Sequence, residues 1–177
     1  MIQLSEATGS AIELLRGASR FEDVGRAVLQ RLAQAAGCDW AAYWAVDPRS
    51  QASQPLASWS SLGPEGRRFE QAAGVRSLAV NLGNVAMVWG SRKPLWSSKL
   101  MLDLGLPRSL HAPAAGLRGG IWFAIKTDTA IYGVVELLAR MLPAITGESL
   151  AGLERAGFRL GYVLQELRSN EQASRLH

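Results

Sequence analysis

The chain contains one cysteine, Cys38, in 177 residues. That count excludes an internal disulfide and a cysteine-built zinc cage. Long apolar runs are lacking too: stretches such as residues 41–44 and 121–125 are short, whereas a membrane-spanning helix needs roughly 20 apolar residues. The opening Met1-Ile2-Gln3-Leu4-Ser5-Glu6 has neither the basic start nor the apolar stretch of a secretory signal. Histidine is confined to His111 and His177. No glycine-rich phosphate loop, metal-ligand cluster or nucleophile paired with a base is visible. These absences predict a soluble, cytoplasmic protein held together by packing, with no metal and no membrane insertion.

Acidic residues are scarce in one region. Between residues 71 and 127 the single acid is Asp103, against Arg76, Arg92, Lys93, Lys99, Arg108, Arg118 and Lys126. Such an excess suits an anionic ligand or surface, and it equally suits solvated side chains spread over loops. A nucleic-acid surface would need a basic helix or aromatics interleaved on one strand face, and neither is present. What the chain does have is apolar residues at 48% and charged residues at 19%, enough for one real core and not two. One domain is predicted over 1–177: a helix and linker at 1–19, a core at 20–146, and a terminal helix at 147–177.

Periodicity divides the chain into elements. Helices are predicted at 4–16 and 19–36; the second is read as opened by a capping box from Ser19 to Glu22 and closed by Gly37. Strands are predicted at 38–46 and 55–62, a short helix at 65–73, and an extended piece at 78–82. Asn84 offers an N-cap for a helix through Trp89, with Gly90 as its stop. A strand at 94–97 precedes an irregular stretch, 99–116, whose length suits a lid or binding loop. Strands at 119–126 and 130–139 form a hairpin around residues 127–129. In the last helix Leu150, Leu153, Gly157, Leu160, Leu164 and Leu167 are spaced 3, 4, 3, 4 and 3 apart, like a coiled-coil seam. This seam is predicted as a homodimer interface, with Phe158 and Val163 turned to the sheet.

Three segments and the order of the elements carry a family resemblance. The order of elements resembles that of a GAF domain from bacterial signalling proteins. Residues 83–96 are similar to that family's short helix, basic-Pro turn and strand; residues 115–120 resemble the lead into its central strand, and residues 131–138 the strand that follows. The likeness covers about residues 21–167. It implies an α+β fold with a central antiparallel sheet of five or six strands. The N- and C-terminal helices would lie on one face, and the short helices and long loop on the other. It further implies a non-catalytic sensory domain that holds a small molecule between sheet and loop. Occupancy would be relayed through a dimeric C-terminal helix to an output module. A ligand-free scaffold for dimerisation and relay is the alternative.

Six tryptophans, at 40, 44, 59, 89, 96 and 122, are the compositional oddity. Flat walls with an N–H donor suit a planar or cationic ligand, and also suit plain core filling. Trp59, Trp89 and Trp96 fall on segments that border the family's pocket, whereas Trp40 and Trp44 are predicted as core. His111 lies in the long loop, and Arg118 and Phe123 lie on the central strand and its approach. Glu136 is a carboxylate within an apolar strand, on a face shared with Tyr132, Val134 and Leu138, and it requires a partner. These seven residues, Trp59, Trp89, Trp96, His111, Arg118, Phe123 and Glu136, are the candidate ligand contacts. The relatives that attach a bilin use a cysteine near the loop helix, where this chain has Ser109-Leu110-His111-Ala112. Haem would rest on His111 alone. Neither cofactor is predicted, and Cys38 reads as a buried structural thiol.

Overall fold

The structure, a computed structural model, describes residues 4–47, 52–74, 78–79, 83–100 and 107–177. Two chain periods, 2 in the strands and 3.6 in the helices, sort the apolar side chains onto the two sides of one sheet. The strands are β1 (Trp40–Asp47), β2 (Ala52–Ser60), β3 (Leu78–Ala79), β4 (Leu95–Ser97), β5 (Gly119–Lys126) and β6 (Ile131–Ala139). They lie in the order β3-β2-β1-β6-β5-β4, and each neighbouring pair is antiparallel. The two strands with the longest apolar runs, β5 and β6, are therefore inside the sheet, where both faces are covered.

Helices α1 (Leu4–Arg16), α2 (Phe21–Ala36) and α6 (Gly147–Arg175) cover one face. Their stripe of Leu15, Leu32, Leu153, Leu160 and Leu164 packs on Ala41, Tyr43, Ile121, Phe123 and Val135. The other face is covered by α3 (Pro64–Gly74), α4 (Gly83–Ser91) and α5 (Pro107–Ala114). There Phe69, Val85, Val88 and Ala112 meet Trp40, Trp44, Trp122, Val134 and Leu138. The expected α+β sheet with terminal helices on one side and short helices on the other is the observed architecture.

Several local expectations change. No capping box opens α2: Arg20 is its N-cap, and no side chain caps it. At its other end Gly37 does close the helix in the left-handed region, at φ 68°. Asn84 is not the cap of α4 but lies inside its first turn, behind Gly83 at φ 72°. That helix runs past Gly90 to Ser91, and the chain leaves it through Arg92, a non-glycine residue at φ 59°. The stretch 99–116 is not wholly irregular, since α5 occupies 107–114; residues 101–106 lie outside the described part, as do residues 80–82 of the predicted extended piece.

Tyr132 does not share the face of Glu136. The β5–β6 register shifts where Ile125 opposes Gly133 and Lys126 opposes Ile131. The extra residue is Tyr132, and this bulge turns it into the helix-side core.

The predicted dimer seam is the largest correction. Leu153, Leu160, Leu164 and Leu167 are buried in the chain's own helix-side core, Leu150 packs at its border, and Gly157 lies against β5. A methyl group at Gly157 would collide with the Ala124 carbonyl oxygen, and one at Gly161 with that of Lys126. The helix therefore seats directly on the strand backbone at two points four residues apart. A heptad-like pattern reports only that one helix face is apolar, and here that face is consumed within the chain. Val163 joins the same core as expected, while Phe158 is half-buried beside Lys126.

Candidate functional site on the tryptophan-bearing face of the sheet

Glu136 stands midway along β6 and is 0% exposed. A carboxylate stripped of water needs donors, and the two flanking strands provide them. Trp122, directly opposite on β5, donates its indole N–H to Oε2 at 2.7 Å. Trp44 on β1, paired with Val134, donates to Oε1 at 3.2 Å. Indole is a donor only, and each carboxylate oxygen can accept, so the three groups match with no donor opposed to a donor. The side chains of β1, β6 and β5 are thus tied in a row across the sheet. Both oxygens of Glu136 hold an indole, which fits an internal fastener better than a seat for a cationic ligand.

The same side of the sheet carries donors without acceptors. Trp40 Nε1 and Asn84 Nδ2 are buried and have no hydrogen-bond partner among the described residues. Trp40 is 0% exposed, with its ring edge-on to Phe69 of α3 at 5.0 Å between centroids. Asn84 is 4% exposed, on the helix whose Val85 and Val88 join the Trp40 cluster. Each buried unpaired donor costs about 1–3 kcal/mol.

The candidate contacts divide by strand parity. Glu136 belongs to this face, and Trp89 packs half-buried at its border from α4. His111 is half-buried on α5. Trp59 and Phe123 are on the opposite face, in the core beneath the terminal helices. Trp59 pairs with Ala41, and Phe123 is one residue off Trp122. Trp96 is 41% exposed and stands opposite Ile121, which faces the terminal helices. Arg118 is exposed before β5, bound through its backbone N–H to the Ala139 carbonyl at 3.0 Å. The structure therefore places Glu136, Trp89 and His111 on one side of the sheet. It does not bring Trp59, Phe123 or Trp96 to them.

Sequence reading missed Trp44 and Trp122 as the partners of Glu136, and Asn84 as a buried donor. Alternation along β1 puts Trp40 and Trp44 on one face, but which strand lies beside β1 is a property of the sheet. Cys38 fits its structural reading: burial, then the neighbouring Asp39 charge, pushes its thiol up to about 12. A separate cleft of about 410 Å³ opens between the starts of α1 and α6, lined by Ser5, Glu6, Glu148, Ser149, Arg155 and Arg159 among others. Among the described residues no cluster of metal-ligating side chains occurs, and no helix is long and apolar enough to cross a membrane.

No family model matches the sequence, and no curated protein matches it. Solved structures do match. The GAF domain of a phosphoenolpyruvate-protein phosphotransferase from Acinetobacter aligns at TM-score 0.68 and 14% identity, covering 93% of this chain and 94% of that one. The corresponding domain from Coxiella burnetii aligns at TM-score 0.69 and 16% identity, with the same coverage. This chain has the GAF fold. Free methionine-R-sulfoxide reductase from Neisseria meningitidis, solved with its substrate, aligns at TM-score 0.66 and 12% identity over 96% of this chain and 90% of that one. The GAF fold thus accommodates an enzyme as well as domains of signalling proteins, and identity this low speaks for the fold alone.

Proposed function

We propose that this GAF-fold chain is a non-catalytic sensory or regulatory domain. It binds a small organic molecule between the sheet and the α3–α4–α5 cover, and passes occupancy through α6 to an output module in the same chain or a partner. The observation that carries this reading is the pair of buried, acceptor-less donors, Trp40 Nε1 and Asn84 Nδ2, on the covered face. A ligand presenting carbonyl or ring-nitrogen acceptors would satisfy them and recover the desolvation already incurred. Flat apolar walls from the tryptophans favour a planar ligand. A cation is disfavoured, because Glu136 already holds two indoles.

The non-catalytic part rests on the lack of reagents. Cys38 is on the helix side of the sheet with its thiol held protonated, the opposite of a nucleophile's environment. No haem or bilin is proposed. Signal output is assigned to α6 because its side chains after Leu167 are exposed except the half-buried Glu171, leaving its last two turns open to another module. Pairing between copies has to use such surfaces, since the leucine seam is spent on the core.

The dense aromatic face itself favours a second reading, a ligand-free relay scaffold: Trp40, Trp44 and Trp122 are all fully buried by the protein's own atoms. Thermal shift with a panel of planar acceptor-bearing metabolites separates the two. Ligand at 100 times its Kd adds about 2.7 kcal/mol of stability. The sensory reading expects a rise in Tm for one compound class that disappears in Asn84→Leu. No rise with any class, or a rise that survives Asn84→Leu and Trp40→Phe together, leaves the scaffold.

A further inference from the structure

We propose that Lys126 is a positioning residue that locks the cover helix α4 to the output helix α6 around the open edge of β5. The inference deepens the sensory reading, because it supplies the mechanical link between the covered face and α6.

Strand β4 pairs only with residues 120–122 of β5, so among the described residues the end of β5 has no strand on that side. Lys126 stands at this end, where its other edge pairs with Ile131 of β6 across the bulge at Tyr132. The Lys126 side chain is 9% exposed, and its ammonium is held from both layers. On one side it donates to the Arg92 carbonyl at 2.6 Å, just past the end of α4. On the other it donates to Glu154 Oε1 of α6 at 2.9 Å, and it lies 4.7 Å from the centroid of the Phe158 ring on the same helix. Ammonium bonds to a carbonyl and a carboxylate are charge-assisted and stronger than neutral ones.

Two further observations make this more than a surface ion pair. Arg92 is, among the described residues, the one non-glycine with a left-handed backbone, a conformation that persists only when its surroundings over-determine it. The lysine grips that residue's own carbonyl. The backbone oxygen of Lys126 is also where α6 makes its closest approach, at Gly161. Side chain and main chain of one residue therefore touch α6, and its side chain alone reaches α4. Any displacement of the α4 end must either break the ammonium bond or move Glu154 with it.

Coupling predicts that α4 and the start of α6 open together. Hydrogen exchange on the full chain tests this without any ligand, so its outcome stands apart from the ligand reading. Met87→Gly, at a half-exposed site, weakens α4 from its outer surface. In the otherwise native chain it should lower protection of the amides of residues 151–158 by about tenfold, the factor expected for one charge-assisted bond. In Lys126→Met the same change should lower protection in α4 and leave residues 151–158 unaffected. Lys126→Arg, which keeps the charge and donors, should restore the transfer. If Lys126→Met fails to fold, Glu154→Gln on the helix surface serves in its place, with a weakened transfer expected. Equal transfer with and without the ammonium contact, or none in the native background, overturns the proposal.

Discussion

The two faces of the sheet are built on opposite plans. The face under α1, α2 and α6 is rich in leucine, with Phe21, Tyr43, Trp59, Phe123 and Tyr132 among the aliphatic side chains, and two glycines of α6 rest on β5 carbonyl oxygens. Its buried polar groups include the Tyr43 hydroxyl, which has no partner among the described residues and whose pKa burial drives upward. The face under α3, α4 and α5 carries three fully buried tryptophans: Trp44 and Trp122 donate to Glu136, while Trp40, like Asn84, has a donor with no partner among the described residues. Close-packed contact with strand backbone stabilises a single arrangement. The proposed ligand site lies on the other face, where two of the three unpaired buried donors are found.

The helix face should be the most sensitive to added volume. Gly161→Ala drives a methyl into the Lys126 carbonyl oxygen, and a loss of at least about 3 kcal/mol is expected in urea unfolding. Leu160→Glu buries an unpaired charge in the same core, so the expected product is an unfolded chain and not a folded monomer. A stable, monomeric Leu160→Glu protein would restore the seam as an interface and undo the assignment of that face.

Next is the carboxylate. Glu136→Leu leaves the Trp44 and Trp122 indoles without the oxygens they donate to, and a loss of about 2–4 kcal/mol follows at roughly 1–3 kcal/mol per buried donor. Glu136→Gln keeps one acceptor oxygen and should lose less. Equal stability of Glu136→Leu and the native chain would mean that the indoles find other partners. Asn84→Leu should be nearly silent by comparison. It removes a donor that has no acceptor, so ligand-free stability should hold within about 1 kcal/mol of native or rise. A loss of 3 kcal/mol or more would show that Asn84 is bonded after all.

The smallest effect is alkaline. The Cys38 thiol, ordinarily near 9.0, is held protonated in the fold until about 12. Between those values the unfolded chain carries fewer protons than the native one, so stability falls as pH rises. Tyr43 adds in the same direction at higher pH. Urea midpoints at pH 7 and pH 10.5 should differ in that sense, and Cys38→Ala should flatten the slope. Alkylation of Cys38 at pH 8 should proceed only as fast as the protein opens.

Much of the fold was legible. Residues 4–16 and 119–126 were predicted as helix and strand with the observed bounds, because their apolar spacing matches one period without interruption. Local signals failed where long-range contact prevails. Ser19 and Glu22 satisfy the capping-box pattern, yet Arg20 holds the N-cap position and no side chain caps α2. Gly90 has the form of a helix stop, yet α4 runs on to Ser91, just before an arginine whose carbonyl Lys126 holds. The site was legible only in part. Glu136 betrays itself as a charge in an apolar strand, but its partners come from 92 and 14 residues away. Trp59, Trp96 and Phe123 were misplaced by one strand face because parity along a strand does not say which face is which.

By itself the sequence determined most of the helix and strand stretches, and that a single cysteine forms no internal disulfide. Those properties follow from spacing and composition, which are local. Only the tertiary structure decided that the leucine seam is internal, that two indoles share one carboxylate, and that a single lysine meets both layers. Each depends on strand order, register and a bulge, and these are set by the free energy of the whole sheet, not by any window of the chain.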